Sequence, residues 1–168
     1  MQTEDSPSAL STIINKVYKE CSLEVSNFQI EIESKDYNAC RFSLNKLKII
    51  SRTAKITPKK VGQFVTFWKR EVNQPIAPFD ENDPIDFFVV NVKNEKQLGQ
   101  FVFPKSLLVK KGIISTANKK GKLAFRVYPA WNVTESKQAI ASQKWQLNCF
   151  YEITENMDLK KVIDLYKK

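Results

Sequence analysis

The run "IDFFVVNVK" at 85–93, followed closely by "GQFVFP" at 99–104, limits the possible folds more than any other part of the chain. Apolar residues stand at consecutive positions, where a strand with one wet face would alternate. Such a strand is central and buried on both faces. The chain must therefore supply cover for two sides of one sheet. At 168 residues it has the length of one domain, and it can bury roughly two thirds of the surface its unfolded form exposes.

The flanking segments supply the remaining elements. Ser6-Pro7 reads as a helix start, with Leu10, Ile13, Ile14, Val17, Tyr18 and Cys21 at helical spacing, so a helix is expected over 7–21. "ACRFSLN" reads as a strand, Asn45-Lys46 as a tight turn and "LKIISRTAKIT" as the hairpin partner. "QFVTFWKR" is a further strand, with Phe64, Thr66 and Trp68 on one face and Val65, Phe67 and Lys69 on the other, one of the two being core. "NQPIAPFDENDP" is a loop punctuated by proline. A helical turn is expected at 105–111, and "GIIS" and "LAFRVYP" flank a polar loop, with Trp131 as a lid on the core. Thr134 or Ser136 opens a helix to about 149 with Ala141, Trp145 and Cys149 on one face, and Asp158 caps a last short helix. A helix, consecutive strands and then helices predict an α+β domain spanning 1–168, with a central mixed, mostly antiparallel sheet flanked by helices and a loose tail at 1–6.

Composition excludes several function classes. The chain has no His, which removes the usual nucleophile–base pairs and the commonest zinc ligand. Its three Cys lie far apart without a CxxC pair, so reduced thiols are expected. No apolar run approaches the about 20 residues that span a bilayer, and no signal peptide is visible, so a cytoplasmic protein without membrane partners is expected. No Gly-rich phosphate loop points to a nucleotide cofactor.

Charge is informative. The net charge is +9. Residues 46–70 carry Lys46, Lys48, Arg52, Lys55, Lys59, Lys60, Lys69 and Arg70 without an acid, and 105–126 carries Lys105, Lys110, Lys111, Lys119, Lys120, Lys122 and Arg126, again without one. The acids gather in "EIESKD", "DENDPID" and "EITENMD". Such segregation predicts a one-sided field that attracts DNA or RNA. Candidate contacts are Lys55, Lys59, Lys60, Lys69, Arg70, Lys105, Arg126 and Tyr128. "DENDPID" hints at a calcium loop, but Pro84, Ile85 and Asn91 stand where a ligand, a Gly and a Glu are needed.

"RTAKITPKKVGQFVTFWKR", "GQFVFPKSLL" and "FRVYPAWN", within a span from about Tyr37 to Trp145, resemble the MepB family of small bacterial proteins encoded beside a multidrug efflux pump and its regulator. The resemblance implies a nucleic-acid-binding protein with a restriction-endonuclease-like core. Nucleases of that kind place an acid on one strand of a hairpin and (Asp or Glu)-x-Lys on the next, so that two carboxylates hold Mg²⁺. Here the hairpin ends in Thr53-Ala54-Lys55, with Lys55 in place and Thr53 where the acid belongs. Asp36 or Glu33 could supply one carboxylate, and Asp86 could pair with Lys55 or a metal. The expected function is non-specific nucleic-acid binding on a degenerate nuclease-like scaffold, with no cofactor. The alternatives are a Mg²⁺-dependent nuclease using Asp36, Lys55 and Asp86, or a module that binds an acidic partner linked to drug resistance.

Overall fold

The computed structural model describes residues 8–168. Two strands form its centre, β6 (Phe87–Lys93) and β7 (Leu98–Pro104), paired antiparallel. Along β6, Phe88, Val90 and Val92 join one core cluster while Phe87 and Val89 join a second on the opposite face. The two-sided burial expected of the apolar run is borne out.

Around this pair stand β1 (Val25–Ile30), β2 (Cys40–Leu44), β3 (Leu47–Thr53) and β9 (Phe150–Glu152), in the order β1-β2-β3-β6-β7-β9. All neighbours are antiparallel except β3 and β6, which run parallel. The β2–β3 hairpin turns at Asn45, at φ 55, a left-handed conformation that Asn tolerates better than most residues. One face is covered by helices: α1 (Ala9–Ile13), which continues into a π-helical turn over Ile14–Tyr18, and α4 (Leu159–Leu165), capped by Asp158. Ser8 caps α1 by accepting from the Ser11 amide. The expected start at Ser6-Pro7 lies outside the described residues. No helix among the described residues is long and apolar enough to cross a membrane.

The other face carries a second sheet as well as helices. A parallel pair needs a crossover of a dozen or more residues, and here the crossover between β3 and β6 builds a second, three-stranded sheet. It contains β4 (Lys55–Ile56) and β5 (Gln63–Thr66), and later in the chain β8 (Ala124–Val127) pairs with β5. The expected long strand 47–57 therefore breaks at Ala54. The Ala54 amide makes the last bond to the first sheet, donating to Asn91 O, and Lys55 already pairs with Phe64 in the second. "GIIS" forms no strand; after α2 (Lys105–Lys110) it turns back and bridges to Asp80 through Ser115. α3 (Lys137–Gln146), capped by Ser136, runs into a 3-10 turn over Leu147–Cys149. Ala139 is buried in it and Ala141 is exposed, so the expected apolar face is misplaced at Ala141.

The face of β5 is settled by burial. Val65 and Phe67 point inward, and Phe67 stacks on Phe79 and Phe88 at 4.5 and 4.0 Å, while Phe64 is half-buried against Tyr37. A polar row crosses the other core cluster. Gln100 Oε1 accepts from the hydroxyls of Tyr151 (2.6 Å) and Tyr166 (2.9 Å), its amide donates to Tyr18 (3.0 Å) and Asn91 (2.9 Å), and the Tyr18 hydroxyl donates to that of Tyr166 (2.6 Å). Burial holds the three phenols above their ordinary pKa, so they stay neutral donors.

Two stability outcomes are expected in chemical denaturation. Phe67→Ala should cost roughly 3–5 kcal/mol, and Phe64→Ala under about 1.5 kcal/mol because its ring is already half in water; the reverse order would invert the assigned faces. Gln100→Leu should cost about 1–3 kcal/mol, since it takes away the buried partner of the Tyr151 hydroxyl while Tyr18 and Tyr166 keep each other at 2.6 Å.

Candidate nucleic-acid interface

Ion pairing in space sorts the cations that the sequence groups together. Lys69 donates to Asp80 and Asp83, both at 2.9 Å, with Glu71 at 3.7 Å. Burial alone would lower its pKa, but the hydrogen bonds to Asp83 and Asp80 hold it above the ordinary value, and the bond to Lys69 holds Asp80 below its own. The cation at the centre of the "DENDPID" loop is this ammonium. Lys105 Nζ donates to Asp83 O at 2.6 Å on the same loop. Arg70 pairs with Glu33 at 2.7 Å. Lys69, Arg70 and Lys105, expected as phosphate contacts, are thus tied to acidic segments distant in sequence. Arg52 is buried under the second sheet, donating to Thr66 Oγ1 and Trp68 O, and burial lowers its pKa to about 10. Trp68 lies between the Arg52 and Arg70 guanidiniums, 5.9 and 5.8 Å from its ring centre.

Lys55 and Asp36 do meet, at 3.8 Å, with Lys55 also 5.0 Å from the Tyr37 ring centre. Asp36 is 84% exposed there. Asp86 does not join them. It precedes β6 at the opposite end of the parallel pair, where its carboxylate accepts from the Lys48 amide at 2.8 Å. Thr53 is buried, its hydroxyl beside the Asn91 amide. One exposed carboxylate does not fit a catalytic Mg²⁺, which takes at least a second carboxylate to hold it there.

The two basic runs meet on the outer side of the second sheet. Between β5 and β8 on one wall and α3 on the other lies a cavity of about 510 Å³. Lys60, Lys111, Lys122 and Arg126 line it, with Phe64, Phe125, Tyr128 and Trp145, and no carboxylate among the described residues does. Lys60 comes from the loop joining β4 and β5. In that loop Lys59 has φ 65 and Gly62 φ 84, and a Cβ on Gly62 would stand 2.6 Å from the Tyr128 ring. Arg126, opposite Phe64 across the β5–β8 ladder, holds the loop down. Its guanidinium donates to Thr57 Oγ1 (2.8 Å), Gly62 O (3.0 Å), Val61 O (3.1 Å) and Lys60 O (3.4 Å). The planar fork of Arg suits this set of oxygens better than a Lys would.

The opposite wall is held by amides. Gln146 is buried, accepts from the Tyr128 amide at 2.8 Å and donates to Arg126 O at 2.9 Å. Gln143 donates to Pro129 O and Asn132 O. These bonds fix α3 against the end of β8, leaving Gln138, Ser142 and Trp145, at helical spacing, to face the cavity. Lys111 Nζ lies 5.3 Å from the Trp145 ring centre.

Of the residues expected from the sequence, Lys60, Arg126 and Tyr128 line this cavity. Lys59 is exposed in the same loop, and Lys55 sits one strand away. Lys111 and Lys122 were visible in the second acid-free run but not singled out. Trp145 was legible as part of an apolar helix face, but Gln138 and Ser142 carried no signal, because nothing in the sequence says which face of α3 meets β8.

The MepB-like family model matches residues 31–152, a span that contains every residue of the cavity wall. A crystal structure of MepB aligns at 39% identity over 88% of this chain and 98% of its own, with a TM-score of 0.76. A bacterial homing endonuclease aligns at 13% identity over 83% of this chain and 86% of its own, with a TM-score of 0.46. No curated protein matches. The resemblance read from "AKITPKKVGQFVTFWKR" and "RVYPAW" is borne out, and the chain belongs to the MepB-like family.

Proposed function

We propose that the protein binds nucleic acid, without sequence preference, through the basic cavity between the second sheet and α3. The observation that carries this reading is the gathering of Lys60, Lys111, Lys122 and Arg126, from separate elements, on a concave surface that no carboxylate among the described residues lines. Elsewhere the acids are drawn to Lys69, Arg70 and Arg41. Exposed ammoniums without acidic neighbours favour a polyanion and make contact with phosphates, which requires no reading of base sequence.

Fluorescence anisotropy with labelled oligonucleotides of unrelated sequence tests it. Affinity about micromolar at moderate salt is expected. The logarithm of the binding constant should fall with the logarithm of salt by about 0.9 per neutralised phosphate on duplex DNA. The triple change Lys60→Glu, Lys111→Glu and Lys122→Glu should weaken binding by more than about tenfold. Lys160→Glu with Lys161→Glu, on the opposite helical layer, should have a much smaller effect. Absence of binding at low salt, or equal losses from both variants, would remove the proposal.

Hydrolysis is not part of the proposal. Plasmid incubated with excess protein and Mn²⁺ should remain intact, because Asp36 is the only carboxylate within ion-pair distance of Lys55 among the described residues. Nicking that disappeared in both Lys55→Ala and Asp36→Ala would establish the nuclease instead.

A further inference from the structure

The face of the first sheet that meets the second is not covered over its whole width. The core on that side takes residues from β3, β6, β7 and β9 but none from β1 or β2. Arg41 and Ser43 alternate along β2 with Cys40, Phe42 and Leu44, which serve the opposite core, so they face this uncovered wing. In register, Gln29 lies opposite Arg41 and Arg41 opposite Ile50. The segments 69–71 and 79–85 stand over the wing as a wall, joined to each other through Lys69 and Asp83. Between floor and wall lies a second cavity, of about 460 Å³. That volume is within the range of small-molecule sites, about 300–1,000 Å³.

Its electrostatics differ from those of the cavity beside α3. Arg41, Lys48 and Arg70 line it. Arg41 and Arg70 are each bonded through Nε, to Glu31 and Glu33, and neither of these acids lines the cavity. The carboxylates thus hold the guanidiniums from outside, and the terminal nitrogens make no hydrogen bond to another described residue. A free edge of that kind matches the two oxygens of a carboxylate. Glu71 and Asp83 also line the cavity, both within ion-pair distance of Lys69. Two acids on the wall penalise a dianion or a polyanion, whereas a single negative charge can meet the guanidiniums alone. Ile50, Phe79 and Ile85 give the cavity an apolar side, which an inorganic anion would leave unused.

We propose that this cavity is a second binding site, for a small organic acid: an apolar body that carries one carboxylate. The carboxylate meets the terminal nitrogens of Arg41 and Arg70, and the body lies against Ile50, Phe79 and Ile85. The site is separate from the nucleic-acid reading and does not depend on it.

Phenylpropionate titrated into the isotope-labelled full chain, followed by amide shifts in the NMR spectrum, tests it. Saturation at about millimolar concentration or below is expected, as for a ligand of that size, with the shifts centred on β2 and 69–71. Phenylpropionamide, the same body without the charge, should bind about tenfold or more weakly. Phenyl phosphate, mostly dianionic at neutral pH, should bind no more tightly than the acid. Arg41→Gln with Arg70→Gln should weaken phenylpropionate by about tenfold or more. Ser43→Leu, which fills the floor from a partly exposed strand position and keeps both guanidiniums, should weaken it similarly. The Lys60→Glu, Lys111→Glu and Lys122→Glu protein should bind it within about twofold of the unaltered chain, because that cavity is a separate one. No saturable shift, tighter binding of the amide or the phosphate, or full affinity in Ser43→Leu would overturn the site. So would loss of phenylpropionate binding in the triple Glu protein, which would move the acid to the other cavity. Oligonucleotide binding is measured separately, so either reading can fail without the other.

Discussion

A strand pair that is apolar on both faces governs this molecule. Burying Phe87, Phe88, Val89, Val90, Val92, Phe101, Val102 and Phe103 leaves water access to neither side of the six-stranded sheet. At about 25 cal/mol for each Å² of apolar surface removed from water, neither face can be left open cheaply. Helices α1 and α4 cover one side. The parallel β3–β6 step covers the other, because its obligatory crossover must travel along that face and does so as strands. The proposed binding surface is a by-product of this second covering. The inner side of β5 supplies Val65 and Phe67 to the core, and the outer side, with α3, is left to carry charge.

Pairing divides the positive charge between structure and surface. Lys69 closes the loop that precedes β6, joining Asp80 and Asp83, and Arg70 ties Glu33 to the end of the β5 segment. Ion pairs of this kind, partly exposed, add only modest stability. Their larger consequence is spatial: they collect the carboxylates of "EIESKD" and "DENDPID" around cations outside the cavity. The field at the cavity is then set by Lys60, Lys111, Lys122 and Arg126.

The parts of the fold legible in the sequence were those whose physics is local. The β6 run announced two-sided burial through consecutive apolar residues. Asn45 marked the hairpin because few residues accept its φ, and Ser136 and Asp158 marked helix starts through their capping oxygens. The break at Ala54 was not legible, since "AKIT" suits a strand in either sheet and only the Ala54–Asn91 bond fixes where the first one ends. Nor was the role of α3. Its attachment relies on Gln143 and Gln146 reaching backbone groups of the 126–132 segment, and polar anchors leave no periodic trace. The candidate site was half legible for a related reason. An acid-free run in sequence is not acid-free in space, so Lys69 and Lys60 look alike until the fold brings Asp80 and Asp83 to one of them.

Arg126 shows how the fold keeps this surface both fastened and positively charged. A guanidinium satisfied by a carboxylate would add nothing to the local field. Arg126 is instead satisfied by the neutral oxygens of Thr57, Val61 and Gly62, so its hydrogen bonds are used in shaping the Lys59–Lys60 loop while its charge remains uncompensated. The carbonyls of Val61 and Gly62 accept from it, and Lys59 and Lys60 of the same loop are exposed. Dipoles of neutral groups thus hold a cation in place at a site where a carboxylate would cancel its positive charge. The same choice recurs across the cavity, where amides rather than acids hold α3 to β8. Both walls are fastened by uncharged partners, and the positive field of the surface survives the fastening.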